Sequence, residues 1–402
     1  MKKLIIILVA VFCILLSGIY FVGEMAKTEI QKEINQSTNS LLTMELLSYQ
    51  KSFFSAKAEM KISIELEGQA PLQVFVHSDI SHYPYKALLV NHINLVDPVL
   101  EKKMVKFFKA KDWLVSQEEI NLLGNMSGKI ALAKGEFINK KKRFNTAPLN
   151  FAYEYNVEEK KGSFDIDWAG MDGSIYDEKF SIKGLSIQAA FTQVNNNDLV
   201  DYRYDFKVSQ LGFTKALHRL SMKAISLKGA SKISADKLTV NTDTNWEIEE
   251  FQNGANTFLN NHIDLALSEL NLIALTKLKS NLEDTTLMRK AFGHLVSLGA
   301  IVDLKTLYSE TPWGEVSSQL KMNIQAGVAS DEVLSNPLVL IDYTNGELNL
   351  SLPKKLSEQA DVGGLLQVGI LTGVLKEQNE TLVLESTLDR GELTVNGNVL
   401  PL

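Results

Sequence analysis

The sequence predicts an α+β, β-rich fold. An N-terminal transmembrane helix is followed by an elongated body of long antiparallel, amphipathic strands with a few helices. Three observations predict it. The chain opens on twenty uncharged residues, LIIILVAVFCILLSGIYFVG (4–23). Long later stretches alternate apolar and polar residues, the period of a strand with one dry face. Only a few segments repeat with helical period.

The opening run comes first. At about 1.5 Å per residue it spans roughly 30 Å, the thickness of a bilayer core. It is longer than the apolar region of a signal peptide. Its exit, Tyr20-Phe21-Val22-Gly23-Glu24, lacks the small-x-small pattern of a cleavage site. A retained anchor is therefore favoured over a cleaved signal. Lys2 and Lys3 place a cytoplasmic stub (1–3) before a span at 4–23, with the body on the far side of an inner membrane, in the periplasm. The next segment carries Met25, Ile30, Ile34, Leu41 and Leu42 near one helical face and predicts a stalk helix over 24–47. A β-rich region over 48–280 and a C-terminal α+β region over 281–402 complete the division.

Strand signals then dominate. From Phe54 to Leu66 every even residue is apolar, while the odd residues from Ser55 to Glu65 are Ser, Lys or Glu. Val200, Tyr202, Tyr204, Phe206 and Val208 alternate with Asp201, Arg203, Asp205, Lys207 and Ser209. Shorter versions occur at 164–168, 320–326, 348–352 and 393–395. One-sided alternation argues for antiparallel sheet, because parallel strands are buried on both faces. Turns are expected at 195–198, Asn345-Gly346, Asp389-Arg390-Gly391 and Asn396-Gly397. Helical period predicts helices over 98–111 and 282–299, and one or two within 351–375. The stretch 261–279 is ambiguous. Ile263, Leu265 and Leu267 alternate, then Leu270 breaks step, and the reading leans to strands.

Composition excludes some functions. The single cysteine, Cys13, lies in the apolar run, so the body forms no intrachain disulfide and has no thiolate ligand or nucleophile. Setting aside Lys2 and Lys3 leaves 39 basic residues against 48 acidic, a net charge of −9. That argues against nucleic acid as a partner. The phosphate-loop, dinucleotide, His-Glu-x-x-His and Gly-x-Ser-x-Gly motifs are absent, which leans the reading away from an enzyme. No cofactor is expected.

The stretch HSDISHYPY (77–85) is the densest set of chemistry-bearing residues. His77 and Asp79 share a strand face, and His82 lies beyond a bend near Pro84. Together His77, Asp79 and His82 are a weak zinc candidate, weighed against a proline turn in which His82 caps local backbone. Asp165 and Asp167 read as a solvated strand face, and Lys140–Arg143 reads as a solvated basic loop. Asp172 and Asp177 read as part of a turn.

SYQKSFFSAKAEMKISI (48–64) resembles the Tyr-x-x-Gly-x-Phe-x-Ser strand opening of the YdgA-like bacterial proteins, a family defined as a domain of unknown function. Tyr49, Phe53 or Phe54, and Ser55 match, while Lys51 or Ser52 replaces glycine. Ile80–Tyr85 resembles the family's Asx-His-Gly-Pro segment at His82 and Pro84, with Tyr83 in the glycine position. The closing GELTVNGNVLPL is similar to the family's Asn-Gly hairpin. The resemblance implies a Gram-negative inner-membrane protein facing the periplasm and no catalytic residues.

Three functions follow as expectations. The first is a non-enzymatic envelope protein that binds or scaffolds another envelope protein. The second is lipid binding or transfer through an apolar β-groove. The third is an envelope hydrolase with His82 as base.

Overall fold

The computed structural model describes residues 21–28, 30–31, 42–65, 70–194, 200–216, 218–236, 238–280 and 284–400. The fold is mostly antiparallel β-sheet rather than α+β. The chain divides into two compact units, 1–192 and 193–402. Residue 280, expected to close a β-rich region, falls inside the second.

In the first unit a helix, α1, covers residues 21–28 and 30–31. Strands β1 (Leu42–Lys51), β2 (Ser55–Ile64), β3 (Leu72–His82) and β4 (Lys86–Leu95) follow as antiparallel neighbours. Helix α2 (Pro98–Phe108) leads to β5 (Leu114–Asn121), β6 (Met126–Leu132), β7 (Gly135–Asn139), β8 (Lys142–Thr146) and β9 (Leu149–Asn156). The long β10 (Lys161–Ile175) and β11 (Glu178–Gln193) close the unit. One half of β10 pairs β9 and the other half pairs β8, while β11 runs along its opposite edge.

The expected N-terminal transmembrane helix requires correction. No helix among the described residues is long and apolar enough to cross a membrane. Residues 4–20 of the expected span lie outside the described residues. Its last three residues, Phe21–Gly23, begin α1, whose Val22, Ala26 and Ile30 are buried against Ala56, Ala58, Ile80 and Leu89. Their i, i+4, i+8 spacing makes the apolar stripe of a helix packed on a sheet. The single-pass inner-membrane location, with its cytoplasmic N-terminus and periplasmic body, is corrected with it. The stalk helix expected over 24–47 also gives way, since Leu42 already begins β1.

Helix α2 forms as its caps dictate. The Asp97 carboxylate accepts from the Val99 and Leu100 amides, Pro98 takes the first helical position, and Lys109 ends the helix at φ 54°. Its Phe108 stacks on buried Trp113 with ring centroids 5.3 Å apart.

The second unit contains β12 (Val200–Lys215), β13 (His218–Ile233), β14 (Thr239–Asn253) and β15 (Asn256–Asn271). Helices α3 (Leu272–Ser280) and α4 (Thr285–Ser297) precede β16 (Ala300–Thr311) and β17 (Gly314–Ile324). The short α5 (Ser330–Ser335) and a 3₁₀ segment lead to β18 (Thr344–Pro353). Then come α6 (Gly363–Leu371), β19 (Lys376–Gln378), β20 (Thr381–Asp389), β21 (Glu392–Val395) and β22 (Asn398–Leu400). From β12 to β18 each strand pairs the next, antiparallel throughout.

The ambiguous stretch 261–279 is half strand and half helix. In β15, Glu269 adopts φ 60° and forms a bulge, its amide donating to the Asn241 side chain. The extra residue returns Leu270 to the face of Leu267, where it pairs Val240. The turn expected at Asn345-Gly346 is instead the beginning of β18. A Cβ on Gly346 would lie 3.0 Å from the Lys321 carbonyl oxygen, so the glycine serves close strand approach.

Candidate functional site

Residues 77–85 do not assemble a metal centre. Strand β3 runs straight through His82 before the turn at Tyr83–Tyr85, so side chains alternate faces to its end. His77 and Asp79 point to solvent and His82 points to the core. His77 lies 3.8 Å from Glu59, and Asp79 pairs Lys57 at 3.3 Å. Among the described residues no three His, Cys, Asp or Glu groups stand close enough to hold a metal.

The motif residues do converge, at one end of β1, β2 and β3. The His82 amide donates to the Phe54 carbonyl at 2.8 Å, and the Ser52 amide donates to the Ser55 carbonyl at 2.7 Å. The His82 ring donates from Nδ1 to the Phe53 carbonyl at 3.4 Å. This leaves Nε2 as a lone-pair acceptor, and it is buried without a partner. Gly23 of α1 lies close against the ring; a Cβ there would come within 2.8 Å of Nδ1. Burial pushes the His82 pKa down, against the Phe53 hydrogen bond, and the nearby Lys51 charge lowers it further. The Tyr49 hydroxyl faces the Gly23 carbonyl at 3.5 Å, with its pKa pushed up to about 12 by burial and the Glu24 carboxylate. Lys51 pairs Glu24 at 2.5 Å. Phe54 and Pro84 mark the turns that bracket this cluster. The arrangement holds α1 on the sheet, and the His82 ring, 4 % exposed, is closed to substrate.

The other sequence candidates separate. Asp165 and Asp167 lie exposed on the solvent side of β10, opposite Phe164, Ile166 and Trp168. Asp172 accepts from the Asn145 amide at 3.2 Å. Lys140 and Lys141 form the β7–β8 turn and Lys142 and Arg143 begin β8, with Lys141 over the Tyr176 ring at 5.8 Å.

The larger feature is an apolar sheet face. In the second unit the strand register lines up Phe206, Leu227, Trp246, Ile263 and Leu307 in one row across β12 to β16. The next row sets Tyr204, Gly229, Thr244, Leu265, Leu304, Leu320 and Leu348 side by side. The opposite face carries charge, with Lys305 3.5 Å from both Asp243 and Asp264. Toward one end α3 and α4 cover the apolar face. There Ile233, Val240, Leu270 and Ala300 are buried with Leu272, Ala274 and Leu295. Away from the helices Trp246 is 49 % exposed, and Ile263 is also exposed.

The first unit repeats the pattern. On β10 Phe164, Ile166, Trp168 and Met171 are partly buried, and the residues that are fully buried are Gly162, Gly170 and Gly173. Gly162 and Gly173 lie under the rings of Phe191 and Phe180. Sequence reading recognised the dry faces, Ile263 among them, without singling out Trp246; the alternation Trp246, Ile248, Glu247, Glu249 was the available signal.

The family model described as "Bacterial protein of unknown function (DUF945)" matches residues 1–402. No curated protein and no solved structure matches the chain.

Proposed function

Because the chain belongs to the DUF945 family of bacterial proteins, whose function is unknown, we propose a role from the geometry: a non-enzymatic binding protein that holds the acyl chains of a lipid against its apolar sheet faces. One observation carries this reading. The row through Phe206, Leu227, Trp246, Ile263 and Leu307 is continuous across five strands, and Trp246 and Ile263 within it stay exposed where α3 and α4 end. Contiguous exposed apolar surface mostly marks a binding site. The rows offer mainly aliphatic and aromatic side chains, with hydrogen-bonding groups on Tyr204, Thr244 and Trp246 alone, which suits a hydrocarbon chain better than a protein surface. A YdgA-like place within the family, read from Tyr49, Phe54, Ser55, His82 and Pro84, is compatible with it.

Native mass spectrometry of the full chain, purified without detergent, tests the role. Lipid-sized adducts that survive purification are expected. A spectrum of bare protein alone contradicts the proposal.

A further inference from the structure

A second candidate ligand site lies within the first unit, where β8, β10 and β11 meet. A cavity of about 440 Å³ opens there, lined by Lys134, Glu136, Arg143, Asn145, Asp172 and Lys183 among others. Its two acids are already engaged. Glu136 pairs Lys109 at 2.6 Å, and Asp172 accepts from Asn145. Lys134, Arg143 and Lys183 have no carboxylate within ion-pair distance among the described residues. The Glu136 carboxyl is held below its ordinary range first by Lys109, with Lys134 and Arg143 adding to it, so their charges act on the same space. The backbone shapes the wall. Gly170 sits at φ 120°, where a Cβ would lie 2.0 Å from the Ile182 carbonyl oxygen, and it pairs Lys183 across the ladder.

We propose that this cavity binds a phosphate group, with the Arg143 guanidinium gripping two oxygens and Lys134 and Lys183 flanking it. An arginine fork matches the edge of a tetrahedral oxyanion, and lysines add point charge around it. The group belongs either to a small phosphate ester or to a phospholipid headgroup. The site stands on its own residues and does not depend on the apolar faces binding lipid.

The test uses the full chain and a Lys134→Gln/Arg143→Gln/Lys183→Gln variant. Calorimetry with inorganic phosphate and glycerol phosphate reads the small-ester arm. Co-sedimentation with phosphatidylglycerol vesicles, against phosphatidylcholine vesicles, reads the headgroup arm. Millimolar or tighter phosphate binding is expected, weakened about tenfold or more in the variant. If phosphate binding falls and vesicle binding is unchanged, the ligand is a small ester. If both fall, it is a headgroup. Absent phosphate binding by the wild-type chain, or equal binding by the variant, overturns the site. Should the triple variant lose its circular dichroism signal, Arg143→Gln alone serves, with a smaller loss of the same sign expected and an unchanged affinity overturning the site.

Discussion

His82 carries a neutral ring in the fold because its surroundings penalise charge. Lys51 faces it from β1, Glu24 is drawn away into the Lys51 pair, and Tyr49 stays protonated. A base whose pKa is lowered by folding binds its proton first in the unfolded chain. Its contribution to stability is therefore complete above about pH 6.5 and declines as pH falls below that value toward the lowered one. The urea midpoint should drop between about pH 7 and pH 5, and His82→Gln should reduce that drop. An equally steep decline in the variant would show that His82 is not its source. The glycines beneath rings give a second residue-scale test. A Cβ on Gly162 would lie 2.3 Å from the Phe191 ring, whereas one on Gly364 of α6 meets nothing within 4 Å. Gly162→Ala should cost about 1–3 kcal/mol by urea unfolding. Gly364→Ala should gain about 0.5–1 kcal/mol. The strand and the shared face of His77 and Asp79 were legible in the sequence, but the place of His82 within that strand, on its opposite face, was not. Placing a bend before His82 concealed that positions 77 and 82, five apart on one strand, must point opposite ways.

Elements were legible where local chemistry is decisive. Asp97 and Asp284 cap their helices through carboxylates that accept two backbone amides each. Gly299 follows α4 at φ 89°, as a helix stop should. Alternation from Phe54 and from Val200 marked β2 and β12. The sequence misled where strands break period. Glu269 inserts one residue into β15, so Leu270 looks out of step in the sequence and is in step in the sheet. Deleting Glu269 should rotate Leu270 out of the buried cluster beneath α3 and α4 and destabilise the chain by about 2 kcal/mol or more. A deletion variant with an unchanged urea midpoint would show that the bulge does not set the register. The stalk helix expected over 24–47 failed for a similar reason. Apolar spacing describes a helix stripe without naming the surface it packs on, and Val22, Ala26 and Ile30 pack on the sheet.

For the molecule as a whole, one-sided alternation foretold dry faces but could not say what covers them. Coverage depends on where the few helices land. In the second unit α3 and α4 close one end over Ile233, Val240 and Leu270, leaving Trp246 and Ile263 open. Of the four tryptophans, Trp113 is buried, while Trp246 reports directly from the uncovered row. Quenching of tryptophan emission by phospholipids brominated on their acyl chains therefore tests the lipid-binding claim where it is made. The wild-type chain should be quenched, and Trp246→Phe should lose a distinct part of the quenched emission at an unchanged urea midpoint. Emission indifferent to the brominated chains, or equal quenching with and without Trp246, would contradict an acyl chain lying on this face.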